Sequence, residues 1–226
     1  MEACSLSRTS RCCSLVRSCD ASLSRIHSIN ASKTASGDPR HIFKTLANLP
    51  AEFDGSLEVI INDNEPHVVA RNLIMLLVAL TCEPAIATEM ILHLWYSLLI
   101  PSDTYQKLQN DILPLIADVL AKIANKPASS AQSKTWEFGQ SKLNLTTTKA
   151  VWQGMPTYIT GCAGMTQDGA IAAYQAVTMA ANLEADIDVL LYRQLPGWRV
   201  AKLKFHQEGL LLPFGASRAE FTTPNL

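Results

Sequence analysis

Gly37, Asp38 and Asp63 are the residues whose types and order could do chemistry. In nucleotide-binding α/β units a Gly-containing turn lets the backbone approach a ligand. The N-terminus of the following helix favours negative charge, and an acid near the end of the second strand accepts hydrogen bonds from ribose hydroxyls. Gly37 suits the turn, Asp38 opens the helix, and Asp63 follows Gly37 by 26 residues, a spacing compatible with a dinucleotide fingerprint. The match is partial. There is one Gly rather than G-x-G-x-x-G, and residues 31–36 do not read as a buried first strand. A purely structural reading stands beside it: Asp38 and Glu65 cap helices, and Asp63 stabilises the strand exit. The sequence leaves both open.

Other chemistry is thinner. His27, His41, His67, His93 and His206 show no metal-ligand spacing, and Cys12, Cys13 and Cys19 lack a Cys-x2-Cys pair, so no metal site is expected. His41 and His67 follow the two candidate loops and could line one cleft, although each also suits a helix surface. No G-x-S-x-G elbow, P-loop or H-E-x-x-H occurs, so the catalytic residues are unknown. Met155-Pro156-Thr157-Tyr158 is a poor version of the Asn/Asp-Pro-Pro-Tyr loop of amino-methyltransferases, lacking the amide or acid and the second proline.

The elements that would position these residues follow from spacing and punctuation. Asp38 suits an N-cap and Pro39 a first helical position, and Ile42, Phe43, Leu46 and Leu49 recur at helical spacing until Pro50. Leu57-Glu58-Val59-Ile60-Ile61 reads as a buried strand ending at Asn62-Asp63-Asn64, with a helix from Glu65-Pro66 to Leu80. A helix opens at Pro84 and runs to about Leu99, and Ser102 caps another over residues 102–124. Residues 125–134 read as a polar loop, 141–147 as a strand, 149–158 as a short helix, 166–182 as a helix and 200–205 as a strand. Trp95, Trp136, Trp152 and Trp198 read as core or domain-surface anchors.

Composition sets the class. Of 226 residues 48% are apolar and 17% charged, enough for a sizeable core, and global disorder is excluded. With 19 Lys and Arg against 20 Asp and Glu there is no basic surplus, so no nucleic-acid partner is expected. Residues 73–100 are strongly apolar, but Glu83, Pro84, Glu89 and His93 interrupt them short of the roughly 20 residues that cross a bilayer. The cysteines do not spread as a disulfide framework would, which points to reduced thiols and the cytoplasm.

Residues 1–36 stand apart, with ten Ser, four Cys, four Arg and one Lys against Glu2 and Asp20. This reads as a disordered leader, or as a mitochondrial transit peptide, which shares that Ser- and Arg-rich, acid-poor composition.

Two longer motifs resemble a known family. Gly37-Asp38-Pro39-Arg40-His41-Ile42-Phe43-Lys44-Thr45-Leu46 and Asn62-Asp63-Asn64-Glu65-Pro66-His67-Val68-Val69-Ala70-Arg71-Asn72 resemble the opening and the second signature of a eukaryotic, mostly fungal, domain of unknown function. Trp136-Glu137-Phe138-Gly139, Trp198-Arg199-Val200-Ala201 and the stretch from Leu211 to Phe221 are similar to its later motifs. That domain accompanies MYND-type zinc fingers and is similar to the N-terminal part of the axonemal dynein preassembly factor family. The resemblance covers roughly residues 36–226. It implies one α/β, helix-rich, Rossmann-like (methyltransferase-like) domain over residues 37–226 in a cytoplasmic setting. It also implies two departures: a Ser/Cys/Arg-rich leader where the family has its first strand, and an end at Asn225-Leu226 where relatives continue.

Three functions follow as expectations. The first is a non-catalytic interaction or assembly domain with a protein partner. The second is an S-adenosylmethionine-dependent methyltransferase with Gly37, Asp38 and Asp63 at the cofactor; methyl transfer can rely on positioning, so it needs no acid–base pair. The third is a fragment without independent activity.

Overall fold

The computed structural model describes residues 11–17, 28–34, 37, 39–50, 53, 55–161, 164–178, 189, 192–213 and 215–225. In chain order the elements are β1 (Arg11–Arg17), β2 (Ser28–Thr34), α1 (Arg40–Ala47), β3 (Ser56–Asp63), α2 (Pro66–Thr81), α3 (Pro84–Tyr96), β4 (Leu99–Pro101) and α4 (Ser102–Lys107). A π-helical turn (Leu108–Ile112) leads into α5 (Leu113–Ile123), β5 (Ala131–Phe138), β6 (Ser141–Thr148), α6 (Lys149–Gly154), α7 (Thr157–Thr160), α8 (Gln167–Thr178), α9 (Pro196–Glu208) and β7 (Phe221–Pro224). Contacts divide the chain into two compact units where the sequence suggests one domain: Met1–Thr81 with Leu115–Pro156, and Cys82–Pro114 with Thr157–Leu226.

The first unit is built on a five-stranded sheet in the order β2-β3-β1-β6-β5. In β3 the residues Leu57, Val59, Ile61 and Asp63 are buried and their alternates half-buried, as a strand with one core face requires. In β6 the buried set is Leu143, Leu145 and Thr147. Val59 and Leu143 both stand opposite Leu15 of β1, so the two buried rows share one face. Helix α2 packs across β3, β1 and β6. Val69, Ala70 and every residue from Asn72 to Val78 are buried, so the middle of this helix is enclosed while His67 at its start and Ala79 near its end are exposed.

The α/β class expected from the sequence holds. Of the parallel order that a Rossmann-like domain needs, the sheet has one neighbouring pair, β2 beside β3, while β1 runs antiparallel to β3 and β6, and β5 antiparallel to β6. That pair is joined through α1 and forms a βαβ unit around Gly37. Residues 11–17 and 28–34, expected to be disordered leader, are strands, and β2 fills the place where the first strand seemed missing. Its sequence, Ser-Ile-Asn-Ala-Ser-Lys-Thr, hides it because β2 is an edge strand and needs no continuous apolar run.

In the second unit β4 and β7 form a two-stranded antiparallel sheet. Leu99, Ala170, Leu210 and Phe221 make a small core, flanked by Leu98, Ile171 and Leu212.

Three element expectations need correction. Residues 200–205 lie inside α9: Pro196 sits in its first turn and Gly209, at φ +68°, ends it in the left-handed region. The alternation of apolar and basic residues there imitates a strand. The polar loop expected at 125–134 gives way to β5, an edge strand in which Trp136 alone is buried. The helix over residues 102–124 contains the π-helical turn, with Pro101 rather than Ser102 at its N-cap. Pro114 follows that turn; in an unbroken α-helix its ring would strike the carbonyl of Asn110. Among the described residues no helix is long and apolar enough to cross a membrane.

Candidate functional site

The βαβ unit brings Gly37 and Asp63 together at the ends of two adjacent parallel strands. Gly37 holds φ +38°, a backbone state that a side chain strains, which explains the glycine. Its N–H donates to Asp63 Oδ2 at 2.9 Å. Asp63 Oδ1 accepts from Glu65 N–H at 3.0 Å, so the carboxylate also closes the start of α2. Arg71, one and a half turns into that helix, donates from Nη2 to the Gly37 carbonyl at 3.1 Å. Asp63 is only 9% exposed. A carboxylate set between backbone N–H groups ties the turn before α1 to the turn before α2.

The structure brings together the two residues that the spacing singled out. The N–H of Gly37 and both oxygens of Asp63 are engaged with groups of the same unit. Each carboxylate oxygen has a second lone pair, so the capacity of Asp63 as an acceptor is not exhausted. Asp38, the third expected cofactor residue, lies outside the described residues.

Two polar side chains near this edge answer to nothing. Asn72, beside Arg71, is 2% exposed, and neither its amide nitrogen nor its oxygen has a hydrogen-bond partner among the described residues. The hydroxyl of Thr147, also 2% exposed, is likewise unmatched. Asp63 stands opposite Arg11, and Thr147 lies one residue beyond the Cys12–Thr146 pair. Asp63 and Thr147 thus share a level and a face, two strands or about 9–10 Å apart. Leaving such groups unmatched costs about 1–3 kcal/mol each. Asn72 is the last residue of the second signature, Ala-Arg-Asn, but its place directly before the apolar run from Leu73 gave no hint of a role for its amide.

The histidines expected to line a cleft sit on helix surfaces. His41 is exposed on α1, and His67 on α2 has Nδ1 3.8 Å from Glu65 Oε2. Among the described residues the buried histidine is His93, whose Nδ1 lies 3.0 Å from Ser97 Oγ. Ser97 Oγ accepts from Leu211 N–H at 3.2 Å, which leaves its own proton for His93. Burial lowers the His93 pKa, with Glu89 opposing, so the ring favours its neutral form. Phe221 meets the ring edge-on at 4.9 Å, and Asn225 Nδ2 donates to the carbonyls of His93, Leu94 and Ser97. This group is a clamp. It binds the end of α3 to Leu211 and to the chain after β7, and its serine faces inward. The i, i+4 spacing of His93 and Ser97 on a helix end was the available signal. Among the described residues no group of His, Cys, Asp and Glu could hold a metal ion.

No curated protein and no solved structure matches the chain. A family model described as a domain of unknown function (DUF4470) matches residues 8–100, less than half of the chain, and that stretch contains both strands of the expected leader together with the Gly37–Asp63 pair.

Proposed function

We propose that this chain is a protein-interaction or assembly domain without chemistry of its own, acting in the cytoplasm. The observation that carries this reading is the surface of the second unit. Tyr192 is 80% exposed, Leu195 72% and Trp198 65%, and Val200 and Leu203 of α9 are exposed as well. No residue of α9 is buried. Large apolar side chains gathered on one exposed segment are a feature of partner surfaces. The engagement of Gly37 and Asp63 with each other supports the same reading, since the groups that would greet a nucleotide already serve the fold. So does the resemblance to the N-terminal part of the dynein preassembly factors.

The alternative is an S-adenosylmethionine-dependent methyltransferase of Rossmann-like descent. Asn72 and Thr147 favour it, because buried polar groups without partners suit a ligand or ordered water near the sheet edge.

Co-purification of the tagged chain from its source cells, beside a Trp198→Ser variant, tests the interaction reading. A defined, stoichiometric partner that the variant loses is expected. A chain that stays partner-free while transferring methyl groups would overturn it.

A further inference from the structure

The cluster at the end of α3 ties two distant stretches of chain together through one titratable side chain. Ser97, which follows the last turn of α3, has one hydroxyl proton and two lone pairs. Its oxygen accepts from Leu211 N–H, so its proton goes to Nδ1 of His93. That bond needs a neutral ring. A protonated ring carries hydrogen on both nitrogens, so Nδ1 would point a donor at the hydroxyl that now donates to it. At 7% exposure the ring would also hold its charge away from water.

What the cluster holds is thinly supported. β4 and β7 are three and four residues long, and a lone two-stranded pair is marginal in water. The core beneath them is the small group around Leu99 and Phe221. Two further bonds close the stretch, from Leu98 N–H to the Gly209 carbonyl at 2.7 Å and from Asn225 N–H to the Leu98 carbonyl at 2.8 Å. Segments with few buried contacts open locally before the rest of a fold does.

We propose that this cluster is an acid-operated latch: neutral His93 holds Leu211 and the segment from Phe221 to Asn225 against the end of α3, and protonation of the ring releases them while the five-stranded sheet stays folded. The latch is independent of the interaction reading above.

The charges around the ring set its direction. Burial outweighs Glu89, one turn earlier on α3, so the closed latch holds the His93 pKa below its ordinary 6.5. The neighbouring elements bring no further charge to the ring among the described residues. β4 and β7 hold none, and Leu211 and Asn225 are uncharged. Glu220 beside Phe221 and Asp168 at the start of α8 are exposed, and Glu208 pairs with Arg218. Once released, the ring takes up its proton at the ordinary value. Acid therefore favours opening from about pH 6.5 downward, and the gain is complete below the closed value.

The test is backbone hydrogen exchange on the full chain, read by NMR from about pH 7.5 to 5 and corrected for the intrinsic rate at each pH. Amides of Leu98, Leu211, Phe221 and Asn225 are compared with those of β3 and α2. Opening of the first set should rise about tenfold per pH unit below 6.5 and level off where the His93 ring titrates in the same spectra. Protection in β3 and α2 should hold, and His93→Gln, which accepts from Ser97 but cannot charge, should abolish the rise. Equal loss of protection in β3 and α2, or no rise at the four amides, overturns the inference. So does a rise that persists in His93→Gln, which would assign it to another group such as His206 on α9. If His93→Gln does not fold, the parent chain decides: a rise that fails to level off at the ring's own titration overturns the latch.

Discussion

The two units use charge in opposite ways. Around Gly37 an acid is buried and engaged with the backbone: Asp63 holds two backbone N–H groups, and Arg71 holds the Gly37 carbonyl. On α9 the charges lie at the surface: Arg199 sits over the ring of exposed Tyr192, and Glu208 pairs with Arg218. A charge committed to backbone groups stabilises a turn and is costly to remove. A charge at the surface contributes little to stability. Composition, balanced at 19 cations against 20 anions, hides this division.

Substitutions sharpen the contrast. The largest effect is expected from Asp63→Ala, which leaves the Gly37 and Glu65 N–H groups without their acceptor and should cost about 2–4 kcal/mol in urea unfolding. A loss under 0.5 kcal/mol would show that the acid is not committed to the fold. Asn72→Leu should act in the other direction, raising stability by about 1 kcal/mol, because it replaces a buried unmatched amide with an apolar group of similar size. A marked destabilisation would mean that the amide has a partner, such as an ordered water.

A smaller effect depends on pH. The His93 pKa is lowered in the folded chain from its ordinary 6.5, so the unfolded chain takes up the proton first on acidification. The contribution of His93 is complete above about pH 6.5 and is lost as pH falls through the lower folded value. Replacing it by Gln, which still offers an acceptor to Ser97 but cannot charge, should remove that part of the pH slope. The smallest effect belongs to Trp198→Ser, expected within about 0.5 kcal/mol of the parent because the ring is mostly exposed. A large loss there would mean that α9 serves the core, and the comparison between the units would break.

Much of the frame was legible because local signals agreed with tertiary ones. Pro39, Pro50 and the β-branched run before Asp63 bounded α1 and β3 closely. Where an element lies at an edge or on the surface, the pattern misled. β2 and β5 are polar because each is paired on one side only, and α9 alternates like a strand because no core face imposes a helical period. The meeting of Gly37 with Asp63 was readable from loop and acid order. That each would bind the other was not, since spacing gives proximity and not the direction of a hydrogen bond. Asn72 was masked by its apolar neighbours, and the His93–Ser97 clamp depends on Leu211 and Asn225, more than a hundred residues away in sequence.

The central claim is that the Gly37–Asp63 edge serves the fold rather than a nucleotide. Calorimetric titration of S-adenosylmethionine into the full chain, beside folded Asp63→Asn, tests it most directly. The account predicts no binding heat at millimolar ligand for either protein. Micromolar binding to the parent chain that disappears in Asp63→Asn would contradict it and make the methyltransferase reading the better one.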